Sequence, residues 1–205
     1  MTGELSAPMP TMPARAVART KGISPEDAEE SRWIVRARIG DEAAFEWLLA
    51  RYRARTVRLA HHVLRRPDEA EDAAQEAFIR AFRGIRSFRG DSRFATWLFH
   101  IVVHVCLDRR RLKRWDAEVQ LDDALPLAGP PQSHDTRMLV QALLDRLSPP
   151  MRAALVLREI EGLEYEEIAG VLEIPVGTVR SRLNTARGRF REMWMEITKE
   201  TNHVG

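Results

Sequence analysis

The sequence predicts an all-α protein built from two helical domains, and three observations carry that prediction. Ala, Leu, Glu and Arg, all good helix formers, dominate the composition. Gly and Pro do not recur at the spacing of short strands and turns. Residues 115–135, "WDAEVQLDDALPLAGPPQSHD", hold Asp116, Glu118, Asp122, Asp123 and Asp135 with no lysine or arginine. Pro126, Gly129, Pro130 and Pro131 bar a long helix there. That stretch reads as an acidic, extended tether. The expected layout is a flexible lead over 1–24, a first helical domain over 25–114, the acidic linker over 115–136, a second helical domain over 137–197 and a tail over 198–205.

Taken in order, Ser24 and Pro25 suit a helix cap and first turn, with the helix running to about Arg38. Gly40 stops it and Asp41 caps the next, where Phe45, Leu48, Leu49 and Tyr52 recur at helical spacing towards Leu64. Asp68 with Glu71 resembles a capping box for a third helix ending near Arg83. Its stripe of Ala74, Ala77, Phe78, Ala81 and Phe82 should be buried. Asp72, Gln75, Glu76 and Ile79 lie opposite. A loop with Gly90 and Asp91 leads to a helix over about 94–113, whose core stripe is Phe94, Trp97, Leu98, Ile101, Val102 and Val105. Past the tether, Ser148 and Pro149 begin a helix to about Ile160, followed by Gly162.

Bulk properties narrow the function classes. With 205 residues and 44% apolar content, real cores can be buried. Net charge is only +2 although the pI is near 9.0, so the distribution of charge says more than its sum. One cysteine, Cys106, rules out a disulfide framework and suits a reducing cytoplasm, the expected location. The longest apolar run, "WLFHIVVHVCL", is interrupted by His100 and His104 and is too short to span a bilayer. The first residues lack the apolar core of a signal peptide.

Residues 165–187, "YEEIAGVLEIPVGTVRSRLNTAR", carry the clearest chemistry. They read as two short helices around the turn "EIP". Val179, Leu183, Ala186 and Phe190 form the buried stripe of the second helix. Gly177, Thr178, Arg180, Ser181, Asn184 and Arg187 are left for contacts. Helix-turn-helix units set such a helix in the DNA major groove, where arginine forks suit guanine edges and phosphates. Gly177 would let backbone approach a phosphate closely. Five arginines and no acid lie between Val176 and Arg191, whereas Glu159 to Glu173 holds six acids and no base. An amphipathic helix with a merely solvated arginine face is the competing reading.

The residues then carry a family resemblance. "AFEWLLARYRARTVRLAHHVLRRPDEAEDAAQEAFIRAFRGIRSFRGDSRFATWLFHIVVHVCLDRRR" resembles region 2 of the extracytoplasmic-function sigma factors. "LSPPMRAALVLREIEGLEYEEIAGVLEIPVGTVRSRLNTARGRF" resembles their region 4. The likeness covers about residues 32–192, and "DAAQEAF", "FRGDSRFATWL" and "IPVGTVRSRL" make it specific together. It implies a subunit for transcription initiation by bacterial RNA polymerase, not an enzyme, with no cofactor. By resemblance, Asp72, Gln75, Glu76 and Ile79 dock on the clamp helices of the polymerase β′ subunit, and the β subunit is a further partner. A merely solvated acidic face is the other reading of those residues. Phe88, Ser92 and Arg93 would line a pocket for a flipped base of the −10 promoter element. Phe88 has a second reading as a core anchor, and Trp97 is expected in the core.

The resemblance also places His100 and His104 facing −10 DNA, where the family usually has Arg and Asn, which leaves the preferred base open. "DRRRLKR" suits phosphates upstream. The recognition-helix residues and Arg158 would meet the −35 element. Thr185 stands where an arginine is frequent, and Glu164 stands where Ser or Thr caps, predicting a frayed helix start. The tether would thread the polymerase, and an anti-sigma protein is an expected partner. Two alternatives remain at this point. "HIVVH" has the helical spacing of two metal ligands but lacks the zincin glutamate, and no second cluster completes it, so no metal site is expected. A helix-turn-helix regulator acting on duplex DNA without polymerase would need a ligand or receiver domain, and the first domain lacks a receiver's strand-helix alternation.

Overall fold

The computed structural model describes residues 25–110 and 136–202. The predicted lead, the acidic tether, the basic residues after Arg110 and the end of the tail lie outside the described residues. Eight α-helices are described: α1 (Pro25–Arg38), α2 (Glu42–Leu64), α3 (Pro67–Gly84), α4 (Phe94–Arg110), α5 (Thr136–Asp145), α6 (Pro149–Leu155), α7 (Tyr165–Leu172) and α8 (Val176–Asn202). No strand occurs among the described residues.

In the first bundle α2 is the central element and packs on α1, α3 and α4. Asp41 caps it as expected, accepting from the Ala44 N–H at 3.2 Å, and Gly40 takes the left-handed turn before it (φ +95°). The small residues Ala70, Ala73, Ala77 and Ala81 are buried along α3, so its backbone can approach its neighbours closely. Two expectations about α3 need correction. The cap is Arg66 with Pro67 in the first turn, not Asp68, because proline's fixed φ suits the first helical position and sets the cap two residues earlier. Phe82 is 47% exposed; only its edge meets Phe45, at a ring-centroid distance of 4.9 Å.

The predicted core stripe of α4 is buried throughout. At its N-terminal end Phe88, Phe94 and Trp97 pack with centroids 5.2–5.8 Å apart, and Tyr52 meets Phe94 at 5.3 Å.

In the second bundle α6 runs into one wide turn, Val156–Ile160, where the Glu161 N–H reaches back five residues to the Val156 carbonyl at 3.0 Å. Gly162 (φ +69°) then reverses the chain and lets the Leu163 N–H close on Leu157 O at 2.9 Å. The predicted fraying of α7 at Glu164 does not occur. The Glu164 N–H donates to Glu167 Oε2 at 2.8 Å, so the third residue of the helix caps its start in place of a hydroxyl.

The two bundles share one apolar core: α2 packs on α6, and α4 packs on α7. His62 lies buried in the first of these seams. Burial, then His61 and Arg152, hold its imidazole down at about 4, with Arg58 opposing and Asp145 favouring the charge. An unfolded histidine titrates near 6.5, so below that pH the unfolded chain takes the proton first. Stability should therefore fall between pH 6.5 and about 4, by about 2 kcal/mol at pH 5. Urea unfolding at pH 7 and pH 5 checks this, and His62→Gln should flatten the difference by that amount.

Candidate nucleic-acid interface

The α8 surface is arranged as a recognition helix requires. Pro175 accepts the first helical N–H bonds, from Thr178 at 2.9 Å and Val179 at 3.1 Å. Val179, Leu183 and Ala186 are fully buried against α6 and α7, and that anchors the opposite face outward. On that face Gly177, Arg180, Ser181 and Asn184 are exposed and Thr178 is half-buried. A Cβ on Gly177 would meet nothing within 4 Å, so its backbone stands clear for a close approach. Ser181 Oγ donates to Thr178 O at 3.0 Å, a bond local to the helix.

Two other predicted contacts are held differently. Arg187 Nε donates to Glu159 Oε1 at 3.0 Å, and Arg158 Nη1 donates to Glu164 Oε2 at 2.8 Å while lying 5.1 Å over the Tyr165 ring. Both arginines are thus partly neutralised by acids of their own bundle.

Three other acids of that segment face the first bundle. Glu161, 5% exposed, accepts from Arg55 Nε at 2.6 Å and has Arg58 at 3.6 Å. Glu167 accepts from Arg93 Nε at 2.9 Å, Arg93 Nη2 at 2.6 Å and Thr96 Oγ1 at 2.9 Å. Burial opposes its charge. The bonds from Arg93, the Glu164 backbone and Thr96 outweigh that opposition, and the carboxyl sits below its usual range. Glu173 Oε1 lies 3.3 Å from both His100 Nε2 and His104 Nε2. Burial, then the neighbouring His104, push the His100 imidazole below its ordinary range, against the pull of Glu173.

The residues expected around −10 DNA are therefore brought together, but under a cover. Arg93, His100 and His104 line one surface of α4 and its preceding loop, and α7 with its carboxylates sits on it. His100 is only 3% exposed, whereas the sequence placed it on a polar, outward side; burial under α7 is the reason. Phe88 is 6% exposed inside the aromatic cluster, as its second reading held. Ser92 is half-buried, its Oγ donating to Arg93 O at 3.3 Å. Thr96, Glu161, Glu167 and Glu173 went unremarked as contact residues. The run of six acids was visible, but its opposing surface needed the fold.

Replacing Glu167 by alanine should loosen this seam and uncap α7, at a cost of about 1–2 kcal/mol, since Arg93, Thr96 and the Glu164 N–H lose their acceptor while keeping some solvent. Chemical denaturation measures the cost, and small-angle scattering should record a larger radius of gyration. Glu159→Ala, which touches only Arg187, should leave the radius unchanged.

On the far side of the first bundle, Asp72, Gln75 and Ile79 of α3 are exposed beside a groove whose second wall is Phe45, Leu49 and Val57 of α2. Glu76 differs. Arg80 donates to it at 2.6 Å and Arg109 at 3.0 Å, which outweighs burial and holds its carboxyl below the usual range. The sequence named only the α3 side of this groove. The α2 wall reads as ordinary core spacing and becomes visible only when the helices are paired.

A basic recognition helix on one bundle and, on the other, a covered basic surface with an apolar groove on the opposite side describe a two-domain DNA-binding factor. Comparisons with known proteins say which. Residues 48–116 match the model of Sigma-70 region 2, and residues 137–190 match that of Sigma-70, region 4. The RNA polymerase sigma-H factor of Pseudomonas aeruginosa is 37% identical over 187 residues, spanning 84% of this chain and 97% of that protein. The ECF RNA polymerase sigma-E factor of Escherichia coli is 37% identical over 169 residues, spanning 75% and 88%. Among solved structures, the sigma factor RpoE in complex with the anti-sigma factor NepR from Bartonella quintana superposes with a TM-score of 0.59 at 26% identity, over 74% of this chain and 96% of that one. CnrH, in complex with the cytosolic domain of CnrY, shares the fold with a TM-score of 0.60. The chain belongs to the sigma-70 family, as an RNA polymerase sigma factor of the ECF type.

Proposed function

We propose that residues 25–114 hold the polymerase and open the −10 element, that residues 137–197 read the −35 element, and that the arrangement seen here is the DNA-free, closed form. The observation that carries this is the pairing of Glu161, Glu167 and Glu173 with Arg55, Arg93, His100 and His104. Carboxylates of region 4 occupy the positions where DNA phosphates and base edges would compete for the same side chains. The α8 face remains outward, so in this form the −35 surface is open while region 2 stays covered.

Asp72, Gln75 and Ile79 dock on the β′ clamp helices, with the α2–α3 groove taking an apolar side chain and the β subunit contacting the factor elsewhere. Docking pulls the domains apart and exposes Arg93, His100 and His104 to the −10 element. Arg158 and Arg187 exchange their glutamates for phosphate at the −35 element. Residues 115–136 span the separated domains through the polymerase. The factor acts in the cytoplasm, by binding and not by catalysis. The solved relative in complex with the anti-sigma factor NepR supports an anti-sigma partner for this chain. A helix-turn-helix regulator working without polymerase is disfavoured, because the relatives are polymerase sigma factors along most of their length.

In vitro transcription with purified core polymerase and a promoter library tests this reading. Start sites sharing both a −35 and a −10 sequence are expected, and none with core polymerase alone. Failure to direct initiation from any sequence would overturn it.

A further inference from the structure

His100 and His104 stand one turn apart on α4, and Glu173 reaches them from the turn between α7 and α8. The single residue "HIVVH" lacks for a metal site, a carboxylate, is thus supplied by the other domain, 69 residues beyond His104. The three ligand atoms lie within 4.8 Å of one another, and each Nε2 is 3.3 Å from Glu173 Oε1. Metal–nitrogen and metal–oxygen bonds of about 2.0–2.1 Å at tetrahedral angles put neighbouring ligand atoms about 3.3–3.4 Å apart. The His100–Glu173 contact is a long hydrogen bond, whose place the ion would take. His104 Nε2 is also buried and makes no hydrogen bond, although the carboxylate oxygen is near, so its ring is aimed elsewhere than along that line.

Glu173 itself sits in a left-handed conformation (φ 52°), which a non-glycine residue adopts at some cost. Its side chain is 58% exposed, and that leaves open space for a water as a fourth ligand.

We propose that His100, His104 and Glu173 form a bridging site for a divalent cation of the zinc class, completed by water. Two imidazoles and one carboxylate suit zinc and its borderline neighbours and do not suit magnesium or calcium, which take oxygen ligands. Two ligands come from region 2 and one from region 4, so the bound ion ties the domains in the closed form and withholds the −10 surface. The ligands converge whether or not these histidines ever meet DNA; only the withholding of the −10 surface rests on the promoter reading.

The test uses the full chain freed of metal by chelation and titrated with zinc against a chromophoric competitor. One equivalent should bind, and His104→Gln and Glu173→Gln should each weaken it at least ~10-fold. Zinc should raise the melting temperature of the parent chain but not of Glu173→Gln, an exposed substitution that leaves the core intact. Cobalt in place of zinc should give a tetrahedral visible spectrum without a thiolate band. No stoichiometric binding, binding unaffected by Glu173→Gln, or a thiolate band from Cys106 would each overturn the proposal. None of these readouts involves transcription, so they separate this site from the promoter function.

Discussion

Changing Asp72 to Arg together with Ile79 to Asp is expected to abolish transcription from core polymerase at every promoter, with association weakened at least ~100-fold. Residues at the centre of a protein interface commonly cost 2 kcal/mol or more each when lost, and a reversed charge adds repulsion to the lost contact. Asp72 has 71% of its side chain exposed; Arg109 stands 3.9 Å from its carboxylate and holds instead its backbone carbonyl at 3.1 Å, which any side chain keeps, while Ile79 is 45% exposed. Neither supports the bundle, so the double variant should melt within ~2 °C of the parent, surface changes being worth about 0.5 kcal/mol. Glu76→Ala is a poorer probe. That residue ties Arg80 and Arg109 together across α3 and α4, so its loss disturbs the fold as well as the surface. Gel filtration with core polymerase and thermal unfolding read the two effects separately. Normal association by the double variant would remove the docking assignment and leave that face as solvated helix.

Arg180→Ala should lower initiation at promoters that depend on the −35 element by ~10- to 100-fold, a forked base contact being worth about 1–3 kcal/mol. Arg180 is exposed on the outward face of α8, close to the end expected to enter the groove. Arg187→Ala should cost less, because binding DNA must first break its bonds to Glu159 and Tyr165, so part of its contribution is already spent within the domain. Run-off transcription on promoters with intact and scrambled −35 elements distinguishes the two. If Arg180→Ala acts equally on both templates, the residue neutralises phosphate and reads no base.

Both variants concern residues that periodicity alone had singled out. The α8 face was legible because Val179, Leu183 and Ala186 must be buried, and a 3.6-residue period then sends Gly177, Arg180, Ser181 and Asn184 outward. Asp72, Gln75 and Ile79 were legible for the same reason. The rule misled at His100, which periodicity set outward and the second bundle covers. It misled at Phe82, whose place on the apolar stripe left it half in solvent at the rim of a groove. The start of α7 was misjudged for a different reason: a cap was sought at Glu164, and Glu167 supplies it from three residues on.

Local chemistry along the chain settled most of the helices, though not Thr136–Asp145, together with the composition of the α8 face and the family to which the motifs belong. Those properties depend on neighbours a few residues apart, which a linear text displays. Tertiary packing alone decided that Glu161 would meet the arginines of α2 and Glu167 and Glu173 the polar surface of α4 and its preceding loop, that α2 would form the second wall of the docking groove, and that two histidines would meet a distant glutamate. Each of these joins residues far apart in the chain, and the free energy that brings them together comes from burying a core shared between the bundles, a quantity no single segment carries.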